Sequence, residues 1–228
     1  LSWVLANLAV LAAFARPGDP ILSLSLRHGG HQTHGSRANS SGRWFQVVNY
    51  GVRRDTEEID YDELRDLALL HRPRVLVAGG TSYTRAWDLP RLRAIADEAR
   101  CVLWVDAAHI AGLAVGGVLD SPVPYADVVT VATNKVIRGP RGGLLLARAE
   151  HGAALDRAVY PFLQGAPPMH AIGAKAVAFA ESATAEYRDY ATQVAGTAAG
   201  LVGALAERGL RPVGGGTDTH LGVVEVSA

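Results

Sequence analysis

The sequence predicts an α/β protein, on three observations: short unbroken apolar runs, helical patterns between them, and glycines at the ends of the runs. The runs are RVLVAGG (74–80), VLWVDAAH (102–109) and VVTVAT (128–133). Continuous apolar stretches of this length suit strands buried on both faces of a parallel sheet, whereas alternation would mark a half-exposed strand. Between the first two runs lies LPRLRAIADEAR, with Leu92, Ile95 and Ala96 on one stripe, the pattern of a crossover helix.

The remaining elements are read in chain order. LSWVLANLAVLAAFA resembles the apolar core of a signal peptide, but it lacks a basic leading region and Asn7 interrupts it. It is also too short to span a bilayer, so it is expected to be a buried helix stopped by Arg16-Pro17-Gly18-Asp19. Asp60 and Glu63 are spaced as a capping box, and Pro73 ends the helix that follows. Residues 173 to 207 read as one long alanine-rich helix with Gly209 placed to stop it. From 211 onward a strand-like unit begins, which puts a boundary near 205: a large domain over 1–205, incomplete at its N-terminus, and the beginning of a small C-terminal domain over 206–228. The chain opens on Leu1 rather than Met and stops inside a strand-like run, so it reads as part of a longer one.

With 228 residues and 49% hydrophobic composition there is ample material for a sizeable core. Lys plus Arg equals Asp plus Glu at 22 each, so no net field draws in nucleic acid or an anionic membrane. The single cysteine, Cys101, permits no intrachain disulfide and fits a reducing cytosol, so the protein is expected to be cytoplasmic.

Ligands of open α/β sheets bind at the carboxyl ends of the strands. There the three runs deliver Thr81 and Ser82, then Asp106 and His109, then Asn134 and Lys135. Asp106-x-x-His109 alone is a weak metal signal, and a lysine does not favour a cation site, so no metal is predicted. Schiff-base chemistry gives both partners a role: a lysine amine joins pyridoxal phosphate and a carboxylate pairs with its pyridine nitrogen. HGGHQTHG (28–35) places three histidines at intervals of three among glycines. A metal reading needs all three rings to converge, and the histidines could equally be satisfied loop residues; an imidazole stacking on a planar cofactor, with glycines allowing close backbone approach, fits the pattern better. Trp3, Trp44, Trp87 and Trp104 read as core or interface residues, and His34, His170 and His220 as structural.

HGGHQTHG, NYGVRRDTEEIDYDEL, VDAAHIAGLAVGG, TNKVIRGPRGG, YPFLQGAPPMHAIGAKAVAFAE and GGTDTHL, in that order, resemble serine hydroxymethyltransferase from about Ala6 to the C-terminus. The resemblance implies the fold-type-I pyridoxal phosphate architecture, aspartate-aminotransferase-like, with a mainly parallel central sheet. It implies pyridoxal 5'-phosphate as cofactor, tetrahydrofolate as co-substrate, and interconversion of serine and glycine. Lys135 matches the lysine that holds the cofactor covalently, Asp106 the carboxylate on the pyridine nitrogen, and His31 the histidine stacked on the ring. His109 matches the histidine near the ring's phenolic oxygen, and Thr81 falls where the family usually has a serine at that oxygen. Arg141 matches the arginine of the glycine-rich turn, and Gln164-Gly165 the loop that reaches a neighbouring subunit's cofactor phosphate. A homodimer with shared sites is thereby implied.

The departures are local. Before Asn7 the family commonly has Ser-Gly-Ser-Gln-Ala, which holds the cofactor phosphate at a helix start. Here the stretch is Ser2-Trp3-Val4-Leu5-Ala6, which keeps only Ser2 and Ala6 of that cradle. Asn134 stands where a histidine is usual, Ala132 where a threonine is usual, and Gln32 where a leucine borders the pteridine. These changes motivate two alternatives: a folate-independent aldolase or transaldolase for threonine-like β-hydroxy amino acids, and a non-catalytic homologue. The family's substrate-working tyrosine and glutamate and its carboxylate-clamping arginine match no position in this chain.

Overall fold

The computed structural model describes residues 2–226. In chain order it contains α1 (Trp3–Phe14), β1 (Pro20–Leu24), α2 (Ser40–Trp44), β2 (Gln46–Tyr50), α3 (Tyr61–His71), β3 (Val75–Ala78), α4 (Leu89–Ala99) and β4 (Val102–Asp106). It continues with α5 (Ala111–Val115), β5 (Val128–Ala132), β6 (Gly143–Ala147), α6 (Gly152–Arg157), α7 (Met169–Ser182) and α8 (Ala185–Ala206). The six strands form one sheet in the order β2-β1-β3-β4-β5-β6. β1 to β5 are parallel, and β6 closes the edge antiparallel to β5.

The unbroken apolar runs are explained by a sheet covered on both faces. Ile21, Val75, Val77, Trp104 and Val128 meet Val10 and Leu11 of α1 on one side. Leu22, Leu76, Ala78, Leu103 and Val105 meet Leu64 and Ala68 of α3 and Leu92, Ile95 and Ala96 of α4 on the other. The inner strands β1, β3, β4 and β5 thus give alternate residues to two cores, and both sets are largely apolar. Trp104 is fully buried, and its Nε1 donates to Thr130 Oγ1 at 2.9 Å, so the largest ring in the core leaves no polar atom unpaired.

The α3 cap is one-sided. Asp60 Oδ1 accepts from the backbone N–H of Asp62 and Glu63, but Glu63 Oε2 accepts from the Gly51 N–H at 3.2 Å rather than returning to Asp60. Asp60 N–H finds the Gly51 carbonyl instead, so the reciprocal half of the box is replaced by a tie to the loop after β2. The long alanine-rich helix expected over 173–207 is two helices. Thr184 divides it: its hydroxyl donates to the Glu181 carbonyl at 2.9 Å and accepts from Tyr187 N–H at 3.3 Å, ending α7 and capping α8. From 211 on, the described residues form one bridge, Pro212 to Val224, in place of a full strand pair; Ser227 and Ala228 of the predicted run lie outside the described residues.

Candidate active site

β3, β4 and β5 are neighbours in the sheet, and the polar residues that follow them converge with the loop after β1. Close approach at the β3 end depends on Gly79. Its φ is 146°, and a Cβ there would lie 2.5 Å from the Asp106 carbonyl oxygen.

Asp106 ends β4 and is 5% exposed. Its carboxylate accepts from Asn7 Nδ2 at 2.7 Å, lies 2.9 Å from His34 Nε2 and accepts from the Ala108 N–H at 3.0 Å. Burial alone would raise this carboxyl, but the His34, Ala108 and Asn7 hydrogen bonds outweigh it and bring its pKa down to about 2. Asn7 also donates to Thr33 Oγ1 at 2.9 Å, and Thr33 lies 2.8 Å from His31 Nδ1. The residue that breaks the apolar run of α1 therefore links the carboxylate to the His31 turn.

Lys135 follows β5 in a turn braced from within. The Thr133 hydroxyl donates to the Pro140 carbonyl at 2.6 Å, and the Gly139 N–H to the Thr133 carbonyl at 2.7 Å. Tyr187 of α8 donates from outside to the Val136 carbonyl at 3.0 Å and the Gly112 carbonyl at 3.3 Å. The Lys135 amine lies 2.6 Å from His109 Nε2, and burial lowers its pKa, with the Asp106 charge partly offsetting that. His109 is held near 4 by burial, then by the Lys135 and His220 charges; His31 is held near 4 by burial and the His34 charge. Both rings are consequently neutral at pH 7. His109 Nδ1 faces His220 Nε2 at 3.5 Å across stacked rings.

Trp3 enters the same cleft. Its ring centre lies 4.2 Å from Lys135 Nζ and 5.1 Å from the His31 ring, and its Nε1 is buried without a hydrogen-bond partner. The expectation of core or interface holds for Trp104 and is corrected at Trp3, which belongs to the site. His34, read as structural, sits 2% exposed on the Asp106 carboxylate and so supports the site from within the core. The two residues missed in sequence, Asn7 and His34, had signals: a polar side chain inside a buried apolar helix, and a histidine three positions from His31.

The other expected positions divide into three groups. Thr81 Oγ1 is buried and unpaired in a hollow it shares with His31, Val4 and Ser82. Ser2 and Arg141 line a separate groove with Lys175, whose amine donates to the Gly143 carbonyl at 2.8 Å. Ser2 Oγ caps its own helix, accepting from the Val4 N–H at 3.2 Å. Gly165 is exposed, with nothing near the position of a Cβ. The three histidines of 28–35 do not converge: His28 packs on Gly51, and Asp106 takes its place beside His31 and His34, the three ligand atoms lying within 4.8 Å of one another.

The geometry joins a low-pKa carboxylate, a desolvated amine and neutral imidazoles at the carboxyl end of a parallel sheet. Comparison with known proteins gives a consistent picture. The family model described as "Serine hydroxymethyltransferase" matches residues 1–228. The chain is 50% identical over 223 residues to a serine hydroxymethyltransferase of Koribacter versatilis, covering 98% of this chain and 52% of that protein. It is 49% identical to serine hydroxymethyltransferase 1 of Pseudomonas fluorescens, covering 98% of this chain and 54% of the relative. The chain spans about half the length of the curated relatives it matches. Motifs in order, a mostly parallel sheet of the fold-type-I kind and a match along the full sequence lead to one assignment: the chain belongs to the serine hydroxymethyltransferase family.

Proposed function

We propose that this chain carries the amine-and-carboxylate centre of a pyridoxal phosphate enzyme that interconverts serine and glycine, with tetrahydrofolate taking the one-carbon unit. The observation that carries the reading is Lys135: a half-buried amine in the turn after β5, its pKa lowered, 2.6 Å from the neutral imidazole of His109, which follows the β4 carboxylate held near pKa 2. The donor set suits pyridoxal phosphate. Asp106 stays ionised across the working pH range and would keep a proton on a pyridine nitrogen; Lys135 would hold the aldehyde carbon. Thr81 Oγ1, buried and unpaired, has hydrogen-bonding capacity left for an oxygen of the ring.

Bound there, the cofactor supplies an electron sink for the charge released at the substrate's Cα. The chain's own residues do the rest. His109 Nε2, 2.6 Å from the Lys135 amine, orients it, and the neutral ring together with burial favours the uncharged amine that acts as a nucleophile. His31 offers a flat neutral face, and its Nδ1 is fixed by Thr33. Ser2, Arg141 and Gly165 are the proposed phosphate contacts, Gly165 toward a second copy. A homodimer is supported by exposed Tyr160, Phe162, Met169, Ile172 and Val177 around that loop. Residues 1–205 would be the cofactor-binding domain and 206–228 the start of the smaller one. Among the described residues no helix is long and apolar enough to cross a membrane; we place the protein in the cytoplasm.

The test is a titration with pyridoxal phosphate followed by borohydride reduction and peptide mapping. A visible absorption band and a label on Lys135 are expected; an unlabelled Lys135 sinks the reading. Glycine formation from serine and from threonine, measured with and without tetrahydrofolate, then separates the hydroxymethyltransferase from a folate-independent aldolase.

A further inference from the structure

A planar ring that reacts with Lys135 and rests on His31 must lie between them, within bonding reach of one and in van der Waals contact with the other. That ground is taken. The Trp3 indole centre stands 4.2 Å from the Lys135 amine and 5.1 Å from the His31 ring centre, tilted 50° to it. Two rings cannot share the space.

The contact is of a kind that can be exchanged. A lysine ammonium over an indole face gains a modest cation–π attraction, strongest when desolvated. Against this, the indole Nε1 is buried with no hydrogen-bond partner, so the seat does not satisfy the ring that fills it. The backbone beneath is fixed: a Cβ on Gly143 would come within 2.9 Å of Trp3 Cα and 3.0 Å of the Ser2 carbonyl oxygen, which leaves no room for α1 to shift toward β6. Rotation of the side chain is therefore the open route. A neighbouring hollow lined by Val4, His31, Gln32 and Thr81 offers a place for the displaced ring.

We propose that Trp3 is a removable plug in the cofactor's ring seat, so that the affinity of this chain for pyridoxal phosphate is set by displacement of the indole from between Lys135 and His31. The proposal rests on the cofactor reading of those two residues. Binding requires the open rotamer, and the apparent dissociation constant is the intrinsic one divided by the fraction of molecules that are open. The same indole shields the amine from any other electrophile.

Trp3→Gly and Trp3→Phe, each checked for folding by circular dichroism, provide the test against the unsubstituted chain. The first measurement needs no cofactor: the rate at which acetic anhydride acylates Lys135, read by mass spectrometry. The second is the dissociation constant for pyridoxal phosphate, with borohydride trapping on Lys135. Removal of the indole should speed acylation and tighten binding, each by roughly tenfold or more, with Trp3→Phe between. Equal affinity of all three chains, with Lys135 trapped in each, overturns the plug and leaves the cofactor reading standing. Acylation of Lys135 in all three with trapping in none overturns the reading and the plug with it.

Discussion

Asp106 and Lys135 leave adjacent strands, β4 and β5, and are held in opposite ways. The carboxylate is 5% exposed and touches Asn7, His34 and the Ala108 amide, all within 3.0 Å. The amine has one imidazole and the face of an indole. Asp106 gathers partners from α1, from the loop after β1 and from its own turn, so it ties the core together. Lys135 is braced through its backbone, while its amine rests on the His109 ring nitrogen and the Trp3 face. One end of the site is therefore part of the fold, and the other is a group the fold tolerates.

Replacing the carboxylate tests the first half of that contrast. Asp106→Ala strands His34 and Asn7 in the core, and a buried charge network broken on one side costs roughly 3–5 kcal/mol. For a chain of this size that lowers the thermal midpoint by about 10 °C or more. Asp106→Asn keeps the shape and should lose less. Equal midpoints for Asp106→Ala and the unsubstituted chain would mean the network does not hold the core.

How much of this was legible in the sequence follows from the same contrast. β3, β4 and β5 were readable because burial on both faces demands apolar residues along the run, as in Val75 to Ala78; β1, with Ser23 inside it, and the partly exposed β2 and β6 lack that mark and were not read. That Lys135, Asp106, His109 and His31 would gather at one end of the sheet was readable from strand-end positions and from the family resemblance. What escaped was context. Thr184 looks like any helix residue until its hydroxyl competes with the backbone, and nothing local says that Trp3 folds over an amine 132 positions away along the chain (135 − 3) rather than into the core. Asn7 carried a readable anomaly without a readable partner, since Asp106 meets it only through the sheet.

Acid provides the next largest effect. His31 and His109 have folded pKa values near 4 against the ordinary 6.5, so between those limits the unfolded chain binds more protons than the folded one. Stability is thus complete above about pH 6.5 and falls as pH drops toward 4; Asp106, near 2 against 3.8, adds a second loss below pH 4. The facing groups are Lys135, His34, His220 and Asp106. Thermal midpoints at pH 7, 5.5, 4 and 3 should decline, and His31→Gln with His109→Gln should flatten the step above pH 4 while leaving the one below it. A decline unchanged in that double variant would assign the loss to other groups.

A smaller effect is expected at the brace of the lysine turn. Tyr187→Phe deletes the hydroxyl that donates to the Val136 and Gly112 carbonyls; Gly112 keeps the Gly116 N–H at 3.1 Å, whereas the Val136 carbonyl loses its donor inside the protein, at a cost of about 1–2 kcal/mol. The thermal midpoint should fall by a few degrees, and amide exchange in 133–143 should quicken more than in β3. Uniform change across both regions would deny Tyr187 its specific hold on the turn.

The smallest effect on stability should come from the residue with the largest effect on chemistry. Burial lowers the pKa of Lys135, which means that folding works against its charge: the unfolded chain binds the proton more tightly. Lys135→Met keeps the length and apolar stem, removes the desolvated charge and keeps a side chain against the Trp3 ring. It should leave the thermal midpoint unchanged or raise it slightly, within about 0.5 kcal/mol, while abolishing borohydride trapping of pyridoxal phosphate. A fall comparable to that of Asp106→Ala would show that the amine, too, is built into the core. No change in either measurement would remove Lys135 from the site. The expected split, intact fold and lost reactivity, follows from where the partners are: the hydrogen bonds of Asp106 come from three parts of the core, and those of the lysine turn come from its backbone.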